Sequence, residues 1–155
     1  MKGSPKVLQA LNSLLALELS AVNQYFLHAK MCESWGYDRL AQHFRATSLE
    51  EMKDAEEIIQ RVLFLEGMPA MHHLGVTTGA NVVEQLRADL ETENHAIRLL
   101  HEGIAASLDE GDQASREFFA SRLPDEEGHA DWLETQLSLI EQVGEGNYLA
   151  HQIND

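Results

Sequence analysis

The chain has little of what several common protein classes need. It carries one cysteine, Cys32, in 155 residues, so no intrachain disulfide can form and a reducing compartment is expected. Its three prolines and ten glycines gather mainly where helices should stop. Period-two runs of β-branched residues are missing, which leaves an all-α reading. No apolar run approaches membrane-spanning length. The first apolar stretch is broken by Gln9, Asn12, Ser13 and Glu18 at helical spacing, unlike a signal peptide, so a cytoplasmic protein without a membrane role is expected. Basic residues are scarce as well: 11 Lys and Arg against 26 Asp and Glu give a formal net charge of −15. Such a field repels phosphate backbones, which excludes nucleic acid as a partner, and attracts cations.

What the chain does have is length and apolar content for one domain, 1–155, with a substantial core; 44% of its residues are hydrophobic. Ser4-Pro5 is a helix start, with a hydroxyl cap before a proline at the first helical position. A first helix over 5–34 should end at Gly36, and a second should run over 38–66, with Gly67 and Pro69 beyond it. Residues 67–80 lack periodicity and read as a long connection. Asn81 with Glu84 forms a capping box that opens a third helix over 81–110. A fourth follows over 113–143, kinked at Pro124, which cannot bond back to Ala120; a short fifth is expected over 147–153. Short loop, long crossover, short loop describes an antiparallel four-helix bundle with one long crossover.

Each long helix interrupts its apolar stripe with an acid near mid-length. The stripes are Leu11, Leu14, Glu18, Ala21, Tyr25; Leu40, Phe44, Glu51, Ala55, Ile58, Val62; Val83, Leu86, Leu90, Glu93, Ile97, Leu100, Ile104; and Phe119, Leu123, Glu126, Ala130, Leu133, Leu137, Ile140. An antiparallel bundle stacks helix midpoints in one layer, so Glu18, Glu51, Glu93 and Glu126 should meet inside. Buried unpaired carboxylates cost several kcal/mol each, by order of magnitude, unless something neutralises them. His129 lies one turn after Glu126 and Asp54 one turn after Glu51. One glutamate from each of two helices, plus Glu-x-x-His elements on the other two, is the pattern of di-iron carboxylate bundles. Hard oxygen ligands with imidazole suit iron or manganese. Tyr25 and Trp132 are candidate electron donors near the metals as well as candidate packing residues.

The chain resembles the bacterioferritins. The resemblance runs through Leu11-Asn12 and Glu18, Asn23-Gln24-Tyr25-Phe26-Leu27-His28, Glu51-Met52-Lys53, Leu63-Phe64-Leu65-Glu66-Gly67, Glu126-Glu127-Gly128-His129 and Asp131-Trp132-Leu133-Glu134. It covers nearly the whole chain. It implies a ferritin-like fold, an assembly of two dozen subunits into a hollow cage, and a di-iron centre that oxidises ferrous iron before the ferric mineral is stored. It also implies haem b between paired subunits, with Met52 as the haem ligand. Met52 follows Glu51, so it turns about 100° away from the core on a regular helix. A ferredoxin-like protein is the expected reductant.

The departure from the family pattern is Asp54, where the family usually has histidine. Five carboxylates would then face two ions, leaving one net negative charge, and aspartate is shorter. It can point away, be protonated, or bind and change metal preference. Weakened occupancy of that metal position is expected. The leading reading is an iron-storage ferroxidase: Glu51 and Glu126 bridge, Glu18 and Glu93 are terminal ligands, and His129 completes one iron. The alternative is a haem-carrying structural subunit with an impaired di-iron site, co-assembling with an active subunit. A small redox enzyme without a cage is a third. His28 and His43 are read as too distant to replace the missing imidazole, and His72-His73 is assigned no role.

Overall fold

The computed structural model describes residues 1–70 and 74–153, and every regular element among them is helical. Helix α1 spans Pro5–Ser34, with the Ser4 side chain accepting from the Val7 amide and Pro5 just inside the start. Helix α2 spans Asp38–Phe64 and α3 spans Val82–Asp109, the latter capped by the Asn81 side chain at the Glu84 amide. Glu84 Oε2 in turn accepts from the Ala80 amide, which completes a reciprocal cap. The two tight reversals, after α1 and after α3, turn on Gly36 at φ 85° and Gly111 at φ 67°, left-handed conformations that a side chain would strain.

The predicted fourth helix is two helices. α4 covers Gln113–Ala120 and α5 covers Leu123–Val143. Proline has no amide to give to Ala120, and the chain breaks outright at Ser121 and Arg122 instead of bending. Pro124 then occupies the opening of α5, where a missing amide costs nothing. Glu126 is thereby placed in the first turn of a new helix, whose dipole favours an anionic side chain there. The last helix, α6, runs Glu145–Ala150, earlier and shorter than the expected 147–153, because Gly144 at φ 87° ends α5 and lets the chain re-enter a helix at once. The second helix stops two residues before the expected end. The histidine pair His72-His73 lies outside the described residues.

Paired residues define the packing. Lys6 meets Asp109, Tyr25 meets Glu93 and His28 meets Asp89, so α1 and α3 run antiparallel. Arg61 meets Ser115, Glu57 meets Arg122 and Glu51 meets His129, so α2 is antiparallel to the α4–α5 arm. α1 packs on α2 and α3, and α3 packs on α4 and α5. Two apolar clusters fill the ends of the bundle. One holds Tyr25, Phe44, Leu86 and Leu133; the other holds Leu11, Ile58, Leu100 and Phe119. Phe119 lies against Gly103 so closely that a Cβ there would stand 2.6 Å from its ring. The layer between the clusters is polar.

On α3 the buried face is turned from the expected stripe. Val82, Gln85, Leu86, Asp89, Glu93, Ala96, Leu100 and Gly103 point inward, while Val83, Leu90, Ile97 and Ile104 are only partly covered. Leu86, Glu93 and Leu100 of the expected stripe do point inward, while the other four positions give way to Val82, Asp89, Ala96 and Gly103, each one residue earlier.

Candidate metal centre

Glu18, Glu51, Glu93 and Glu126 come from four different helices and are 3%, 1%, 1% and 2% exposed. They meet in the layer between the two apolar clusters. Ligand atoms of Glu51, Glu93, Glu126 and His129 all lie within 4.8 Å of one another. So do those of Glu18, Glu51, Asp54 and Glu126. The two groups share Glu51 and Glu126. All six predicted residues are therefore brought together, Asp54 included, and its shorter side chain does reach.

Their contacts are close but are not hydrogen bonds of normal geometry. His129 Nδ1 stands 3.1 Å from Glu51 Oε1, 3.7 Å from Glu93 Oε1 and 3.9 Å from Glu126 Oε2. Among the described residues that nitrogen has no hydrogen-bond partner, nor do Glu18 Oε2, Glu51 Oε1, Glu93 Oε2 and Glu126 Oε2. Buried polar atoms are nearly always satisfied. Several such orphans close together in a buried layer make a candidate donor set for a cation, and carboxylate oxygens with an imidazole nitrogen fit iron or manganese.

The protonation pattern agrees. Burial, then the neighbouring Glu51 charge, holds the Glu18 carboxyl well above its ordinary range. Burial and the neighbouring Glu93 push Glu126 up to about 12. Burial works against a charge on His129, yet the Glu51 and Glu93 carboxylates outweigh it and raise the imidazole to about 12. Glu93 goes the other way: burial disfavours its charge, but Glu126, His129 and Tyr25 hold it below its usual value. Burial and Glu51 raise Asp54 to about 6. Protons thus stand in for missing positive charge, and a divalent ion entering the layer would displace them.

The residues around the layer are fixed by distinct contacts. Tyr25 is buried and its Oη donates to Glu93 Oε1 at 2.6 Å. Trp132 is partly buried and stacks flat on His43, with ring centroids 3.5 Å apart. His129 Nε2 meets Glu50 Oε2 at 3.0 Å, a partner the sequence reading did not single out because Glu50 lies on an exposed face. A solvent-open cleft between α2 and α5 is lined by Glu50, Asp54, Glu57, Arg122, Asp125 and His129, so the layer has one wall toward solvent. Met52 points away from the centre and is 46% exposed.

A second buried polar group was also missed. His28 Nδ1 lies 2.9 Å from Asp89 Oδ1, and the Gly79 amide donates to His28 Nε2 at 3.0 Å. Gln24 Nε2 donates to Asp89 Oδ1 and Thr92 Oγ1, while the Thr77 amide donates to Gln24 Oε1. Cys32 donates to Gln85 Oε1. This network ties the long crossover to α1 and α3. Its sequence signal is Gln85, Asp89 and Glu93 at four-residue spacing on one face.

Comparison with known proteins agrees with this architecture. The family model of the ferritin-like domain matches residues 8–143. The bacterioferritin of Brucella melitensis is 46% identical over 149 residues, covering 96% of this chain and 92% of the relative. The bacterioferritin of Mycobacterium tuberculosis is 43% identical over 155 residues, with 99% and 98% covered. The bacterial ferritin of Pseudomonas aeruginosa is 42% identical over 154 residues, with 99% and 100% covered. Among the described residues no helix is long and apolar enough to cross a membrane. A six-residue acidic layer in a bundle with one long crossover, matched end to end by these relatives, makes the chain a member of the bacterioferritins within the ferritin-like family.

Proposed function

We propose that the protein takes ferrous iron as substrate, oxidises it within each subunit, and stores the ferric product in the cavity of a cage of about two dozen copies. The observation that carries the reading is the set of orphaned carboxylate oxygens, one from each of Glu18, Glu51, Glu93 and Glu126, in a buried layer together with His129. Glu51 and Glu126 belong to both groups of ligands and are the natural bridges. Glu93 and His129 complete one position, Glu18 and Asp54 the other. Two ferrous ions held side by side give up one electron each, and oxygen or peroxide accepts the pair. The protein's part is to hold the ions, exclude bulk water, and release the protons now held on Glu18, Glu126 and His129.

Tyr25 and Trp132 are the electron donors of this reading; the bond from Tyr25 to Glu93 supports the first. Met52 fits the haem b role on chemistry and position: its thioether is exposed on the outer side of α2, one turn after the exposed Leu49. A second copy across a two-fold axis would supply the other thioether. Haem, when bound, supplies an electron path to the stored mineral. A ferredoxin-like reductant and a cytoplasmic location complete the reading.

The test is oxygen uptake when ferrous iron is added to the purified protein, with size-exclusion chromatography alongside. Rapid uptake by a large assembly is expected; a monomer or dimer would exclude storage. Haem uptake that survives Met52→Leu unchanged would remove that residue from the cofactor site. The alternative, a structural subunit working beside an active one, is motivated by Asp54. It is disfavoured because the Asp54 carboxylate reaches the ligand cluster.

A further inference from the structure

We propose that the two positions of the metal centre select different ions: the position of Glu18 and Asp54 prefers a harder, oxygen-seeking ion than the position of Glu93 and His129. The inference rests on the metal-centre reading above and deepens it.

The composition of the two ligand groups carries the argument. Both contain Glu51 and Glu126. One adds Glu93 and His129, giving three carboxylates and one imidazole. The other adds Glu18 and Asp54, giving four carboxylates and no nitrogen. Within the second group Glu18 Oε2, Glu51 Oε1 and Glu126 Oε2 are buried and have no partner, so these oxygens are open to a ligand. Among the described residues Asp54 makes no ion pair either. Arg122, which lines the same cleft, is engaged elsewhere, paired with Glu57 and lying over the Phe118 ring at 3.6 Å. It influences Asp54 without covering it.

Two physical effects then act in the same direction. Carboxylate-only sites suit manganese, magnesium and calcium, whereas an imidazole shifts preference toward zinc and other nitrogen-seeking ions. Charge adds to this. Apart from the shared bridges, the Asp54 position has two carboxylates of its own and the His129 position has one. Five carboxylates are balanced by one divalent and one trivalent ion rather than by two divalent ones, and the excess negative charge lies on the Asp54 side.

The test uses crystals of the intact protein equilibrated with equal concentrations of manganous and zinc ions, with anomalous scattering measured at both absorption edges. Zinc binds more tightly in general, so the informative quantity is the zinc-to-manganese ratio at each position. That ratio should be lower at the Asp54 position, because imidazole favours zinc and carboxylate favours manganese. In Asp54→His the two ratios should become equal. Equal ratios in the unaltered protein, or an inequality that survives Asp54→His, would overturn the proposal. The wild-type comparison is internal to one crystal, so it decides the matter even if the variant folds poorly. Metal at neither position would instead defeat the underlying reading, and the two failures are therefore distinct.

Discussion

Two buried polar groups, one turn apart along α3 at Asp89 and Glu93, solve the same problem in opposite ways. In the layer of His28, Asp89 and Gln24 nearly every side-chain polar atom has a partner, and among the described residues only Asp89 Oδ2 lacks one. Burial raises the Asp89 carboxyl, while hydrogen bonds from His28 and Gln24 pull it back toward its charged form. In the layer of Glu18, Glu51, Glu93, Glu126 and His129, five atoms are orphaned and the charges are crowded. Tyr25, from the apolar cluster that also holds Leu86, donates to Glu93 of this second layer. The same kinds of side chain are therefore structural when the protein supplies their counter-groups, and open to cations when it does not.

Substitutions should separate the layers sharply. The largest effect is expected from Glu51→Gln, which keeps the shape but removes a carboxylate common to both candidate ligand groups. Ferrous oxidation should fall by about 100-fold, while the melting temperature of the metal-free protein changes little, since relief of the crowding on Glu18 and Glu126 offsets the lost acceptor for His129. A marked loss of metal-free stability would mean that Glu51 is structural like Asp89. Conversely, Asp89→Ala should cost about 3 kcal/mol in denaturant unfolding, because His28 and Gln24 are left buried without their acceptor. The crossover should loosen with it, which hydrogen exchange at Thr77 and Gly79 would report.

The layers should also differ in their response to pH and metal. In the metal-free protein Glu18, Glu126 and His129 keep protons that the unfolded chain releases above ordinary values of 4.5 and 6.5. The folded state binds more protons, so stability should fall as pH rises from about 6 to about 9. Zinc at about a thousand times its dissociation constant should add about 4 kcal/mol and reverse that slope, because ions replace the protons. A metal-free melting temperature that climbs over this range would contradict the assigned protonation. The smallest effect is expected far from both layers: Asn81→Ala removes the cap on α3 and should cost about 1 kcal/mol with oxidation unchanged.

How much of this was legible beforehand varies with the physics of each element. The ends of α1 and α3 were readable because Ser4-Pro5, Gly36, Asn81 and Gly111 act through local backbone chemistry. The convergence of Glu18, Glu51, Glu93 and Glu126 was readable because helical period and helix length together set their height in the bundle. The break at Ser121 and Arg122 was foreseen only as a kink. A proline demands that a hydrogen bond be lost, but whether the chain bends or restarts depends on what the freed turn packs against. Here Arg122 gains Glu57 and the face of Phe118.

The amino-acid order by itself determined the all-helical class, the acidic midpoints and the kinds of donor available there, since these follow from periodicity and side-chain chemistry within single segments. Only the tertiary structure decided that Asp54 reaches the ligand cluster, that Glu50 faces His129, and that His28 is held by Asp89 and Gly79. Those outcomes turn on distances between separate helices and on the path of the crossover. A difference of one ångström there separates a ligand from a bystander, and no pattern along one helix encodes it.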